Sequence, residues 1–187
     1  MKNIILGVTG SVAAIKTRQL AEALRQFANV RIVSTKQAEY FFQADRDALQ
    51  QLNIAIYRDE DEWPVLSGAY DINAPILHIE MRRWADCLLV APLDANTLAK
   101  VAHGFCDNLL TSIVRAWDQS RPIILCPAMN TFMWENPPTA EHIAILKNRG
   151  AEVIAPIVKK LACHDIGMGA MEHVDEIVKI VQQRLTT

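Results

Sequence analysis

Short apolar runs alternate along this chain with amphipathic stretches of helical period, starting with residues 3–8, 11–28 and 30–33. An apolar run bounded by turn residues reads as a strand buried on both faces. An apolar stripe recurring at i, i+3 and i+4 reads as the helix that covers it. In residues 11–28 the stripe is Val12, Ile15, Leu20, Leu24 and Phe27, and helical material continues to about residue 52. The pattern resumes with a strand at 87–91, helices at 95–102 and 108–117, and a strand at 123–126. A helix at about 139–148, a strand at 152–154 and a last helix at 175–185 complete it. This alternation predicts an α/β fold of three layers, a mostly parallel sheet with helices on both faces. The pattern lapses twice: in residues 58–75, an acidic and turn-rich connection, and in 156–171, read as a loop. Neither lapse divides the chain, so residues 1–187 are expected to form one domain.

Composition narrows the function classes. With 187 residues, 51% hydrophobic and 21% charged, the chain can build a substantial core and is not disordered. A formal charge of -2 leaves no basic field for nucleic acid or an anionic membrane. The opening apolar run is too short for a signal sequence, Gly10-Ser11 opens a helix where a cleavage site would fall, and no other stretch could span a bilayer. The four cysteines, at 87, 106, 126 and 163, show no CxxC spacing, and two lie in strongly apolar contexts that read as core. A reducing, cytoplasmic setting is expected. His103, His142 and His173 form no metal-ligand spacing with a cysteine or carboxylate, so no metal is expected.

Three strand ends carry the candidate chemistry. Residues 7–16 run from a strand into a helix, where α/β folds place phosphates: Gly10 permits close backbone approach, Ser11 can cap, and the first amides attract an anion. The spacing is not GxGxxG, which favours a mononucleotide or single phosphate over a dinucleotide, with a plain capped turn as the alternative. Residues 91–97 and 126–134 place small, hydroxyl and amide side chains beyond two further strands. Small residues beside Met129 and Trp134 could form a slot for a planar ring, with Asn96 and Asn130 orienting a ligand. Each asparagine alone reads equally well as an Asx turn. In the second lapse, Cys163 follows Lys159 and Lys160, which favour a thiolate, and precedes Gly167 and Gly169. It is either a reactive thiol on a lid or an incidental surface cysteine.

The segments GSVAAIK, HIEMRRWAD, APLDANTLAKVAHGFCDNLLTSIVRAWD, PAMNTFMW and KLACHDIGMGAM, in this order, resemble the flavin-dependent cysteine decarboxylases, and among them the members acting on 4'-phosphopantothenoylcysteine. The resemblance implies an FMN-binding, flavodoxin-like Rossmann fold. It also implies a homotrimer, or a larger assembly of trimers, with active sites between subunits. By the same resemblance Gly10, Ser11, Val12, Thr35, Lys36, Gln37, Asp94, Ala95, Asn96, Thr97 and Ala128 contact the cofactor. Asn130 holds the substrate carboxylate, His78 is the active-site histidine, and Cys163 belongs to a substrate clamp with Lys160 and Ala162 beside it.

The implied reaction solves a chemical problem. A cysteine carboxylate has no neighbouring electron sink, so CO2 loss requires prior oxidation of the thiol-bearing carbon to a thioaldehyde by FMN. Decarboxylation then leaves an enethiol, and its reduction, with Cys163 as proton donor, yields 4'-phosphopantetheine for coenzyme A. His78 suits proton handling at neutral pH, and Asn130 orients the carboxylate without a counter-charge that would retain it. Relatives lacking the reductive step release the enethiol.

Some positions depart from the family pattern. Asp94 replaces a serine and places a carboxylate near the expected flavin, where repulsion would weaken binding unless it points away or accepts a hydrogen bond. Gln37 replaces a small hydroxyl residue, His164 replaces a glycine, and the 58–75 connection is long. The alternatives are a sibling peptidyl-cysteine decarboxylase or flavin prenyltransferase, or a non-catalytic phosphatase-regulatory relative. Retention of His78, Asn130 and Cys163 favours the enzyme. As the chain ends at Thr187 after its last helix, the ligase domain fused to many bacterial members is expected on a separate protein.

Overall fold

Strand β1 (Lys2–Val8) is buried from Ile4 onward, with side chains feeding both faces of a sheet. Ile4, Leu6 and Val8 enter one core and Ile5 the other, as the two-residue period of a strand requires. The structure, a computed structural model, describes residues 1–62, 74–160 and 166–186. After β1 the chain forms a 3-10 turn (Val12–Lys16), α1 (Thr17–Arg25), β2 (Ala28–Ser34), α2 (Lys36–Phe42), α3 (Arg46–Gln51), β3 (Ala55–Tyr57) and α4 (Asp59–Glu62). It continues with α5 (Leu77–Trp84), β4 (Cys87–Leu93), α6 (Ala95–His103), α7 (Leu109–Arg115) and β5 (Ile123–Pro127). Then follow α8 (Thr131–Trp134), α9 (Pro137–Asn148), β6 (Glu152–Val153), β7 (Ile157–Lys160), β8 (Ile166–Ala170) and α10 (Val174–Thr186).

The main sheet has the order β3-β2-β1-β4-β5-β6, and every pairing in it is parallel. Without the three-residue edge strand β3 this is the flavodoxin-like order; with it, the order is that of the doubly wound dinucleotide folds. Among the described residues, antiparallel pairing is confined to a separate hairpin, β7 against β8. One face of the sheet is covered by α1, α2, α3 and α10 through Leu20, Leu24, Phe42, Leu49, Ile177 and Val181. The other is covered by α5, α6, α7 and α9 through Met81, Leu98, Leu110, Ile113 and Leu146. Each such fully buried side chain contributes about 1.5–3 kcal/mol of transfer free energy. Among the described residues no helix is long and apolar enough to cross a membrane.

Several elements differ from the periodicity. The helix expected over 11–28 begins as the 3-10 turn, whose three-residue period rotates Val12 and Ile15 off the later stripe. They are 45% and 58% exposed, whereas Leu20 and Leu24 are fully buried. The first lapse contains α4, which was unforeseen, and leads into α5; residues 63–73 lie outside the described residues. The second lapse, read as a loop, holds the β7–β8 hairpin. Ala162, Cys163 and His164 lie outside the described residues, as does the Lys160 side chain.

Candidate active site

Chain order reverses between β1 and β4, which are neighbours in the sheet, and the crevice beyond their carboxyl ends is where such folds bind ligands. Thr9, fully buried, stitches the two strand ends together. Its N–H and Oγ1 both donate to Pro92 O, at 3.2 and 2.9 Å, and Oγ1 accepts the Asp94 N–H at 2.7 Å. Sequence reasoning passed over Thr9, because nothing local reveals a partner 83 positions away.

Gly10 has no room for a side chain: a Cβ there would sit 2.7 Å from Gln37 Cβ and 3.2 Å from Asp94 Oδ2. Three of the expected cofactor residues therefore meet at one backbone point. Ser11 caps the 3-10 turn, its Oγ accepting the Ala13 N–H at 3.4 Å. The Asp94 carboxylate accepts a hydrogen bond, as its tolerance there demands: Oδ1 takes the Thr97 N–H at 2.7 Å and caps α6. Between β2 and α2, the Thr35 N–H donates to Val8 O at 3.0 Å, and its Oγ1 is buried with no partner among the described residues. A buried, unsatisfied hydroxyl calls for a ligand or a water.

The cleft holds about 420 Å³. Gly10, Ser11, Asp94, Ala95, Ala128 and Asn130 line it, alongside Val12, Ile15, Met129 and Met133. Lys36, Gln37, Asn96 and Thr97 sit at the same sheet edge but are not in its lining, nor is Thr35; Gln37 reaches it only by abutting Gly10. Asn130 caps α8, with Oδ1 accepting the Phe132 N–H at 2.9 Å, so its amide is held at the cleft wall. Trp134, considered for the planar slot, is half-buried against the core and is absent from the lining.

Two cations face the same cleft: Lys16, which sequence reasoning left without a role, and Lys159, which it read as favouring a thiolate at Cys163. Burial lowers the Lys16 ammonium below its ordinary value, repulsion from Lys159 lowers it further, and Glu172 opposes the shift. The hairpin supplies Lys159 and is docked by close backbone contact. Gly169 O accepts the Met129 N–H at 2.9 Å, and Gly169 has φ 145° with Met129 O where a Cβ would stand. A Cβ on Gly167 would strike the Thr131 side chain. These glycines seat the hairpin on the turn that presents Asn130.

His78 lies in the first turn of α5 and is not in the cleft lining. Its backbone N–H donates to Glu62 Oε2 at 2.9 Å, and its Nδ1 lies 2.6 Å from Glu62 Oε1. The far end of α5 is held by Arg121, whose Nη1 donates to Arg82 O at 3.0 Å and Ala85 O at 2.6 Å. Sequence reasoning missed Glu62; its only local signal was the acidic run Asp59-Glu60-Asp61-Glu62. Cys87 and Cys126 are buried core residues, as their context predicted, and burial pushes the Cys87 thiol up to about 12 and Cys126 higher still. The structure also joins His103 on α6 to His142 on α9, with Nε2 atoms 3.1 Å apart. Among the described residues no group of three histidine, cysteine or carboxylate side chains could hold a metal ion.

Comparisons with known proteins agree with this fold. The family model described as Flavoprotein matches residues 1–186. A probable phosphopantothenoylcysteine decarboxylase of Arabidopsis thaliana is 52% identical over 168 residues, 90% of this chain and 81% of that protein. The Mus musculus phosphopantothenoylcysteine decarboxylase is 48% identical over 98% of this chain and 87% of its own length. Among solved structures, a Cys-to-Ser variant of a PPC decarboxylase complexed with pantothenoylaminoethenethiol superimposes with a TM-score of 0.93 at 46% identity, covering 100% of this chain and 99% of that one. The FMN binding protein AtHal3 gives 0.87 at 48% identity, covering 97% and 95%. A strand-end crevice of this form, on a chain matched over nearly its whole length, places the protein in the Flavoprotein family, with the phosphopantothenoylcysteine decarboxylases.

Proposed function

We propose that this chain is an FMN-dependent phosphopantothenoylcysteine decarboxylase, converting 4'-phosphopantothenoylcysteine to 4'-phosphopantetheine in coenzyme A biosynthesis. The observation that carries the reading is the cleft at the β1–β4 reversal, which brings Gly10, Ser11, Asp94 and Ala95 together with Asn130. The residues fit the cofactor. Apolar Ile15, Met129 and Met133 suit a planar ring, the capped turn at Ser11 offers backbone amides, and the buried Thr35 Oγ1 lacks a partner among the described residues. Gly10, Ser11, Val12, Thr35, Lys36, Gln37, Asp94, Ala95, Asn96, Thr97 and Ala128 would hold FMN. When bound, it supplies a two-electron acceptor and donor that no side chain provides.

The chain's own residues do the rest. Asn130 orients the substrate carboxylate through an amide fixed by the Phe132 N–H, and being neutral it does not oppose departure of CO2. Lys16 and Lys159 give the cleft a positive lining for an anionic substrate. His78 takes the thiol proton. Cys163, with Lys160 and Ala162 beside it, returns a proton to the enethiol; this role rests on the sequence resemblance. The active form is a homotrimer or an assembly of trimers. That reading is supported by Val12, Ile15, Phe132, Met133 and Val158, large apolar side chains exposed on and beside the cleft, and by a His78 that a single chain leaves outside the cleft lining.

The test is an absorbance spectrum of the purified protein followed by anaerobic addition of 4'-phosphopantothenoylcysteine, with mass spectrometry of the product. Flavin bands and 4'-phosphopantetheine are expected. A flavin-bound protein inert to this substrate overturns the substrate assignment, and a protein that takes up no FMN overturns the whole reading.

A further inference from the structure

Glu62 is one of four consecutive acidic residues in α4, and of the four it alone is buried, with its side chain 4% exposed. A carboxylate withdrawn from water needs hydrogen-bond partners. Among the described residues both come from His78: the backbone N–H to Oε2 at 2.9 Å, and Nδ1 beside Oε1 at 2.6 Å. A carboxylate can only accept, so the proton of the shorter contact sits on Nδ1. The neutral ring then carries its lone pair on Nε2, the nitrogen directed away from Glu62.

Neither partner is a loose surface side chain. Helix α4 is tied down by Asp61, which accepts the Arg58 N–H at 2.8 Å, and by Asp59, which accepts the Leu109 N–H of α7 at 2.9 Å. The Arg121 cap described above holds the other end of α5. The carboxylate at the first turn of α5 also faces the positive end of that helix, which favours its retention there.

We propose that Glu62 is the positioning residue of His78: it locks the imidazole as the Nδ1–H tautomer and thereby leaves Nε2 as acceptor of the substrate thiol proton. The proposal deepens, and rests on, the reading of His78 as the base for that thiol. In the step concerned the S–H bond breaks, an Nε2–H bond forms, and the electron pair remains on sulfur. Nothing is oxidised or reduced, and the Glu62 carboxylate stabilises the imidazolium that results.

Glutamine at position 62 makes a specific test. The His78 backbone N–H can only donate, so it orients the amide oxygen toward itself and leaves the amide NH2 facing Nδ1. Nδ1 must then accept, and the ring proton moves to Nε2, where the base should be. The experiment is 15N NMR of histidine-labelled holoprotein at a pH where the ring is neutral, on wild type and Glu62→Gln, with steady-state kinetics of both and of His78→Asn alone and combined. Wild type is expected to show protonated Nδ1 and bare Nε2, and Glu62→Gln the reverse. Glu62→Gln should lose about 100-fold in kcat with little change in KM, and add nothing to His78→Asn. The wild-type spectrum needs no variant: a proton on Nε2 there, with His78→Asn inactive, overturns the positioning role alone. Full turnover by Glu62→Gln does the same. Full turnover by His78→Asn overturns the base assignment and the positioning role with it.

Discussion

Asp94 and Thr97 form the hinge pin of the cleft: Asp94 Oδ1 accepts the Thr97 N–H at 2.7 Å, and the same carboxylate's Oδ2 borders the space that Gly10 leaves open. One side chain thus caps α6 and shapes the wall beside the first strand end. Its charge is directed at the positive end of a nine-residue helix, which offsets the repulsion a free carboxylate would exert on a bound phosphate.

Asp94→Ala is therefore expected to lower unfolding free energy by about 1 kcal/mol, the usual cost of losing an N-cap oxygen, and Asp94→Ser to recover most of it. Urea denaturation of the three proteins without cofactor checks this. Equal stability of the alanine and serine variants would show that the cap contributes nothing.

Lys16 gives a pH-dependent prediction. Its folded value is lowered beneath 10.5 chiefly by burial, then by Lys159, so the unfolded chain binds this proton more tightly than the folded one. The sign follows: stability is reduced below the folded value and recovers as pH rises from that value to 10.5. Lys16→Met should raise the denaturation midpoint of the cofactor-free protein at pH 7, with the gain fading toward pH 10.5. The side chain is only partly buried, so the gain is small. The same variant should raise KM for the anionic substrate about tenfold, near 1.4 kcal/mol of lost attraction, with kcat little changed. An unchanged KM would remove Lys16 from substrate binding.

Gly169 and Gly150 separate close contact from backbone conformation. Both have positive φ, 145° and 90°, but a Cβ on Gly169 meets Met129 O whereas one on Gly150 meets nothing within 4 Å. Gly150→Ala should cost about 1 kcal/mol. Gly169→Ala should cost about 2–3 kcal/mol, because it also breaks the Met129 N–H bond that seats the hairpin. Unfolding curves, with limited proteolysis of the β7–β8 hairpin, compare the two.

Thiol reactivity should follow burial. Cys106 is exposed, while Cys87 is buried with its thiol pushed up to about 12 and Cys126 is shifted further in the same direction. A raised thiol value means less thiolate at neutral pH, so Cys87 and Cys126 should resist alkylation in the native protein at pH 8 and react after unfolding. Mass-spectrometric mapping of iodoacetamide adducts over time decides it; early labelling of Cys126 would contradict its placement.

Local periodicity by itself determined the layers of this protein. The runs ending at Val8, Ala91 and Cys126 are apolar, apart from Asn3 at the start of the first, because strands covered on both faces must be, and the small, hydroxyl and amide residues after these runs marked the ligand edge. Cys87 and Cys126 were legible as core for the same reason. What periodicity reports is the environment of a residue relative to neighbours a few positions away. It cannot report pairings set by strand order. Thr9 meets Pro92 across 83 positions, His103 meets His142 across 39, and Glu62 meets His78 across 16, through a connection that reads only as acidic. Val12 and Ile15 carried a helical stripe into a 3-10 turn because both periods place residues three apart on one side, and only packing shows that both are exposed. The tertiary structure decided which charge caps a helix, which lysines share the cleft, and which glutamate holds the histidine, since those depend on the distance between side chains that the sheet order alone brings together.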